Sequence, residues 1–184
     1  MAYKDKFTDK AAFKIASVAV LSAVTAIFIL MVRVPVAPTR GYIHLGEVAI
    51  FFTALVFGPV TAFIAGGLGA AIADVIGGYG QWAPISFIVH GVKGYVVGLV
   101  YGRMMLNETG SGAGIFFTGF VCFVAGAIVT VGGYFIAGVF MVGPGAAAVE
   151  IPGNILQGAA GAVGGVVLAS AVKKAYPPVV NFRW

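Results

Sequence analysis

Long apolar stretches separated by short polar or Gly/Pro-containing breaks make up most of the 184-residue chain. A helix that crosses the hydrocarbon core of a bilayer needs about 20 apolar residues, and the breaks leave six stretches that approach this length. They lie near residues 11–32, 46–58, 60–77, 83–105, 113–141 and 152–172. This pattern predicts an all-α integral membrane protein that forms a single six-helix membrane domain over residues 1–184.

The second stretch is short and ends at Gly58-Pro59. Proline is favoured in the first turn of a helix because its missing N–H has no intrahelical partner there. Stretches two and three are therefore expected to form a tight helical hairpin. The N-terminus is not read as a signal peptide, because its apolar segment is long, follows a charged stretch and lacks a small-residue cleavage pattern.

Composition agrees with a membrane location. The chain is 60% hydrophobic and 9% charged, whereas a soluble domain has about 25% charged residues. Its single cysteine, Cys122, excludes a disulfide scaffold, and no basic run points to a nucleic-acid partner. The 28 glycines indicate helices that pack closely.

The basic residues predict the orientation, because cytoplasmic loops of membrane proteins are enriched in Lys and Arg. With six spans both termini share one side, and that side holds Lys4, Lys6, Lys10, Lys14, Arg103, Lys173, Lys174 and Arg183. The opposite side holds only Arg33 and Arg40, and Lys93 lies within a span. Both termini are therefore predicted to be cytoplasmic, and the net charge of +5 to contact anionic lipid.

Polar residues concentrate at the predicted outer ends of the spans. Three acids, Asp5, Asp9 and Glu108, lie in cytoplasmic segments, but the other three are Glu47, Asp74 and Glu150 at the outer side. The outer loops add Arg40, Tyr42, His44, Tyr79, Gln81 and Trp82. The loop charges are also compatible with simple solvation, and the aromatic residues with anchoring at the membrane interface.

Four polar residues lie within the spans themselves. His90 and Lys93 are three apart, on one face of span four, and ionisable groups at that depth usually serve a functional site. We expect Asp74 or Glu150 to be their partner. Asn154 and Gln157 repeat the spacing in span six, where their amides offer donors and acceptors without charge.

Together these residues predict a polar pocket that opens to the outside, walled by spans three, four and six and closed by the outer loops. For each pair a purely structural role is the alternative: an internal ion pair for His90 and Lys93, and interhelical hydrogen bonds for Asn154 and Gln157.

Span one carries a face of small residues at spacing four, formed by Ala12, Ala16, Ala19 and Ala23. Small residues at this spacing allow a second helix to approach closely in lipid. Similar spacings, such as Gly94 to Gly98 and Gly161 to Gly165, are expected to serve internal packing. The face on span one is a candidate for binding another membrane protein.

No catalytic constellation is visible. There is no Walker A loop, Cys122 lies in an apolar span without a His or Cys neighbour, and Ser111 has no nearby base. The spacing of His44 and His90 does not specify a metal site. We predict a protein that is not an enzyme and has neither a metal nor a cofactor.

The chain resembles the substrate-binding S components of energy-coupling factor (ECF) vitamin transporters of bacteria. The resemblance rests on six spans in about 180 residues, the Ala19-x-x-x-Ala23 face, the block YIHLGEVAIFFTALVFGPVTAFIAGGLGAAIADVIGGY and the IPGNILQG that opens span six. The middle block is most similar to the hydroxymethylpyrimidine, riboflavin and pyridoxine branch.

The resemblance implies an S subunit in a bacterial cell membrane that works with a coupling subunit and two ATPase subunits. It implies docking through Ala19 and Ala23, with Ala12 and Ala16 as the alternative register, and a lid formed by Arg40, Tyr42 and His44. The implied ligand contacts are Asp74, Tyr79, Gln81, Trp82, His90, Lys93, Asn154 and Gln157, beside the outer acids Glu47 and Glu150 predicted above. The expected ligand is hydroxymethylpyrimidine or pyridoxine, with riboflavin or pantothenate as alternatives.

Two functions of another class are also considered. A stand-alone small transporter needs polar residues through the cytoplasmic half of the bundle, where spans one, three and six have almost none. A membrane enzyme needs a catalytic pair, for which only His90 with Asp74 or Glu150 qualifies.

Overall fold

A computed structural model describes residues 11–105 and 112–184. The helices are α1 Ala11–Met31, α2 Gly46–Phe57, α3 Pro59–Gly77, α4 Ala83–Met105, α5 Gly112–Val142, α6 Pro144–Val149 and α7 Ile151–Ala175, and the strands are β1 Arg33–Val36 and β2 Gly41–His44. A 3-10 helix, Pro177–Phe182, follows α7. Several residues used in the orientation and enzyme arguments lie outside the described residues: Lys4, Asp5, Lys6, Asp9, Lys10, Glu108 and Ser111.

The six predicted stretches coincide with α1 to α5 and α7. Five helical segments are long and apolar enough to cross a membrane, namely Ala11–Met31, Pro59–Gly77, Ala83–Met105, Ala113–Val142 and Pro144–Ala175. The helix α2 is also apolar but has only 12 residues. The fold is therefore that of a multi-pass helical membrane protein, while the orientation of its termini stays a prediction.

The first predicted outer loop is not an irregular loop. β1 and β2 pair antiparallel, with Arg33 opposite His44 and Val36 opposite Gly41, so the all-α prediction is wrong for this segment. Val and Ile side chains on both sides of a turn favour paired strands, and Arg40 takes the left-handed conformation, with φ 51°, that the turn requires. We call residues 33–44 the outer hairpin.

The predicted hairpin of α2 and α3 is confirmed. Gly58 connects the two helices with φ 92° and Pro59 begins α3. Glycine is required at this position because other residues rarely adopt a positive φ.

Glycines allow the helices to approach closely, as the high glycine content of the sequence predicts. On α7, a Cβ at Gly161, Gly164 or Gly165 would overlap α2 at Glu47, Val48 or Phe51 respectively. We call these three residues the glycine seam. Gly94 and Gly98 of α4 lie equally close to α3, which confirms that most of the small-residue spacings serve internal packing.

The short helix α2 ends inside the bundle. Its 12 residues rise about 18 Å, which is well short of the hydrocarbon thickness of about 30 Å. Carbonyl groups in its last turns therefore need donors. The side chain of Arg183 donates to Ala54 O at 3.2 Å and Leu55 O at 3.3 Å, and Lys173 donates to Leu55 O at 3.2 Å.

An Arg183→Met variant is expected to unfold more easily, by about 2–4 kcal/mol, because carbonyls of α2 and of Gly98 lose their charged donor. Thermal unfolding of the purified chain in detergent measures the change. Lys174→Met, at an exposed lysine, is the control and should unfold like the wild type. An unchanged unfolding temperature for Arg183→Met would show that these bonds contribute nothing to stability.

Candidate functional site

A small polar cavity lies where the outer hairpin folds over the ends of the helices. Seven of the predicted site residues line it: Tyr42, His44, Asp74, Trp82, Glu150, Asn154 and Gln157. Gly41, Ser86 and Tyr134 complete the lining. The cavity volume is about 30 Å³, which is room for about two water molecules. A larger ligand therefore enters only if part of the wall moves.

Hydrogen bonds fasten the outer hairpin over the cavity at three places. The Tyr42 hydroxyl donates to Asp74 Oδ1 at 2.6 Å, and the Thr39 hydroxyl donates to the carboxylate of Glu150. The backbone N–H of His44 donates to Gln157 Oε1 at 2.8 Å. The hairpin thus contacts both α3 and α7.

Two buried polar atoms of residues that line the cavity have no hydrogen-bond partner among residues 11–105 and 112–184. They are Asp74 Oδ2, an acceptor, and Trp82 Nε1, a donor. Both side chains are buried, with exposed fractions of 3% and 4%. Buried polar groups nearly always have partners, so the two atoms are candidates for ligand contacts, Asp74 Oδ2 as an acceptor and Trp82 Nε1 as a donor.

Below the cavity lies a cluster of buried charged and polar groups. Lys93 pairs with one carboxylate oxygen of Glu47, His90 Nδ1 lies 3.4 Å from the other, and Gln157 Nε2 donates to that same oxygen at 3.3 Å. Lys93 and His90 contact each other at 3.2 Å, as their shared helix face predicts.

The expectation that Asp74 or Glu150 would pair with Lys93 is wrong. Glu47 is the partner, because it lies in the first turn of α2, and α2 packs directly against α4, which carries Lys93. With 1% exposure, Glu47 is not a solvated charge. None of Glu47, His90 and Lys93 lines the cavity in this structure, so they lie one layer below the predicted contacts.

A second chain of contacts leads from this cluster to the opposite cavity wall. His90 Nε2 lies 3.0 Å from the Tyr134 hydroxyl, and that hydroxyl lies 2.7 Å from Ser86 Oγ. The prediction of walls from spans three, four and six omitted α5, which contributes Tyr134. A signal was present, because Tyr134 is the only tyrosine in the apolar helix α5, and Ser86 lies one turn outward from His90.

The remaining predicted residues lie outside the cavity. Arg40, Tyr79 and Gln81 line a shallow groove on its outer rim, and Arg40 and Gln81 are exposed. Tyr79 packs its ring on that of Tyr42, with centroids 4.6 Å apart. The structure therefore does not bring these three into the cavity.

The protonation states of Tyr42 and His44 in the outer hairpin are consistent with the hydrogen bonds that these residues make. Burial, followed by the hydrogen bond to Asp74, raises the pKa of Tyr42 well above its usual range, so the hydroxyl keeps its proton and donates it. Burial lowers the pKa of His44 well below its usual range, with smaller contributions from His90 and Lys93. The neutral ring accepts the N–H of Gly46 at 3.1 Å.

Comparison with known proteins identifies the family. The profile described as "ECF-type riboflavin transporter, S component" matches residues 10–174. The chain belongs to the S-component family of ECF-type transporters. It is therefore a substrate-binding subunit of a membrane transporter and not an enzyme; members of this family work with a coupling subunit and ATPases.

Two relatives of this S component are similar over most of their length. A Pyrococcus woesei protein named "Uncharacterized protein in gap 3'region" is 34% identical over 158 residues, which are 83% of this chain and 96% of that protein. The "Thiamine precursor transporter HmpT" of Lactococcus lactis subsp. cremoris is 30% identical over 162 residues, 88% of each chain.

In this S component the small-residue face of α1 is open. Ala12, Ala16, Ala19 and Ala23 are all exposed, whereas Ser22, Thr25 and Ala26, which lie along one flank of this face, are buried. The buried side packs on α3, where Gly69 lies against Thr25. All four alanines, and so both candidate pairs, are thus available to a partner helix.

Proposed function

We propose that this S component captures hydroxymethylpyrimidine, a thiamine precursor, at the outer face of the membrane for ATP-driven uptake. The observation that carries the proposal is the pair of buried polar atoms without partners, Asp74 Oδ2 and Trp82 Nε1, in two residues that line the small polar cavity. An aminopyrimidine offers an N–H donor beside a ring nitrogen acceptor, which matches a carboxylate oxygen and an indole N–H. The similarity to a thiamine precursor transporter supports the same ligand class.

Pyridoxine, which has no ring amine but offers hydroxyl donors, is the second single-ring candidate. Riboflavin is the alternative that the matching profile's description suggests, and pantothenate is a further one. The cavity of about 30 Å³ favours a single ring over a flavin, because a smaller ligand requires less displacement of the hairpin and the walls.

We propose that this S component works with the same partners as the rest of the family, namely a coupling subunit and two ATPase subunits. The coupling subunit docks on the α1 alanines. The complex lies in a bacterial cell membrane, in line with the Lactococcus lactis relative. The open alanine face supports this docking.

The ligand is tested by purifying the full chain in detergent and analysing what it retains by mass spectrometry. Fluorescence titration with hydroxymethylpyrimidine, pyridoxine and riboflavin follows, using Trp184→Phe so that Trp82 is the only reporter. We expect hydroxymethylpyrimidine to change the Trp82 signal at the lowest concentration. Trp82→Phe is the matched control and should give no signal change. Retained riboflavin without response to hydroxymethylpyrimidine would contradict the proposal.

A further inference from the structure

The outer hairpin is attached to the bundle at two levels that differ in chemistry. At its rim, Tyr42 and Thr39 bond directly to acids of the cavity, Asp74 and Glu150. At its base, the His44 N–H bonds to Gln157, an uncharged amide. The cavity is nearly filled by its own walls, so a ligand that binds Asp74 must first disturb the rim.

The base attachment continues to the buried ion pair. Gln157 Nε2 donates to Glu47 Oε1 at 3.3 Å, and the other oxygen of Glu47 pairs with Lys93. Glu47 and Lys93 are each 1% exposed and lie outside the cavity lining. Two charges buried beneath a binding site without reaching it require an explanation other than ligand contact.

Glu47 determines which way the amide of Gln157 faces. An ionised carboxylate only accepts hydrogen bonds, so the NH₂ group of Gln157 must face it and the amide oxygen must face away. That oxygen is the acceptor for the His44 N–H. Lys93 in turn compensates the charge of Glu47, because an unpaired carboxylate in an apolar interior carries a large desolvation cost.

We propose that the Glu47–Lys93 pair is a positioning device for the hinge of the outer hairpin. Through Gln157 it holds the base of the hairpin at His44 while the rim opens and closes, so that Tyr42 returns to Asp74 in the same register. Glu47 and Lys93 are positioning residues in this arrangement. The affinity part of the inference rests on the proposed function of the cavity, whereas the hinge part does not.

The test uses the full-length chain in detergent with two readouts: the Kd for hydroxymethylpyrimidine by calorimetry, and hydrogen–deuterium exchange of the amides of residues 33–44. In Lys93→Met the carboxylate of Glu47 loses its partner. We expect exchange in the hairpin to become about tenfold faster or more and the Kd to rise about 10- to 100-fold.

Rescue by a second substitution separates positioning from general destabilisation. In Glu47→Gln/Lys93→Met the buried charge is gone, while the new amide keeps an oxygen that accepts from Gln157. Hairpin exchange and Kd should return to within about threefold of the wild type. Lys173→Met, which removes a half-buried donor at the other end of α2, is the control. It should lower the unfolding temperature without changing either readout.

If Lys93→Met does not fold, Gln157→Met provides the exchange measurement, since it cuts the link and leaves the ion pair intact. Wild-type exchange of residues 33–44 in Lys93→Met or Gln157→Met would overturn the inference, as would a double variant that recovers nothing. If the wild type does not bind hydroxymethylpyrimidine but the exchange pattern holds, the ligand assignment fails and the hinge stands. If the wild type binds hydroxymethylpyrimidine but hairpin exchange is unaltered in the variants, the ligand assignment stands and the hinge fails.

Discussion

Asp74→Asn is expected to weaken the binding of hydroxymethylpyrimidine by about 100-fold or more, because it reverses the polarity of one hydrogen bond. Asp74 Oδ1 already accepts the Tyr42 hydroxyl, so the asparagine oxygen takes that place and its NH₂ group replaces Oδ2. A ligand N–H then meets another N–H. The fold should not suffer, because the substitution keeps the shape and removes a charge that is 3% exposed.

Calorimetry of the purified variant, with thermal unfolding on the same samples, measures both parts of this prediction. The matched control is Thr61→Val, which removes a buried hydroxyl at the opposite end of the same helix and should bind like the wild type. An Asp74→Asn variant with wild-type affinity would remove Asp74 from the site. A variant that loses its folded state would instead make Asp74 a structural residue.

Replacing both Ala19 and Ala23 with leucine should abolish uptake while leaving ligand binding by the isolated chain unchanged. The two methyl groups lie one turn apart on an exposed face, and close helix contacts in membranes depend on small residues. Leucine there would hold a partner helix away without touching the cavity. Uptake of labelled hydroxymethylpyrimidine by cells that express the complete transporter, compared with calorimetry of the purified subunit, separates the two effects.

The control for added bulk is Val124→Phe at an exposed position of α5. This helix packs against α4, α6 and α7, whereas α1 packs against α2 and α3. The pair Ala12→Leu/Ala16→Leu tests the alternative register. Full uptake with both double-leucine variants, each tested in its own cells, would contradict docking through α1. A variant that loses ligand binding together with uptake would also contradict it.

The helices could be predicted from sequence because each signal is local. Pro59 indicates the start of α3, and a long apolar stretch predicts a helix whatever its neighbours in the fold are. The outer hairpin was missed because its strands span only four residues each. Such short segments carry little periodicity, and their pairing depends on the turn at Arg40.

The location of the candidate site could be predicted from the sequence, but the contacts between its residues could not. Polar residues concentrate at the ends of the spans that are predicted to be outer, so Asp74, Asn154 and Gln157 could be assigned to one region. The partner of Lys93 could not, because Glu47 is 46 residues away in sequence and the pairing depends on how α2 packs. Tyr134 was missed since one phenol in an apolar helix gives no indication of which neighbour it faces.

The glycine seam determines where Gln157 and Asn154, two residues of the candidate site, lie along the axis of α7. Gly161 rests on Glu47, and Gln157 lies one turn further out on the same helix, where it reaches the Glu47 carboxylate. A slip of α7 by one residue would shift Gln157 and Asn154 by about 1.5 Å along the axis and rotate them away from the cavity. A side chain at Gly161 would force such a slip. Under the proposed function, ligand specificity is therefore sensitive to positions that no ligand touches, and a mutational scan should find the glycine seam as intolerant of change as the cavity itself.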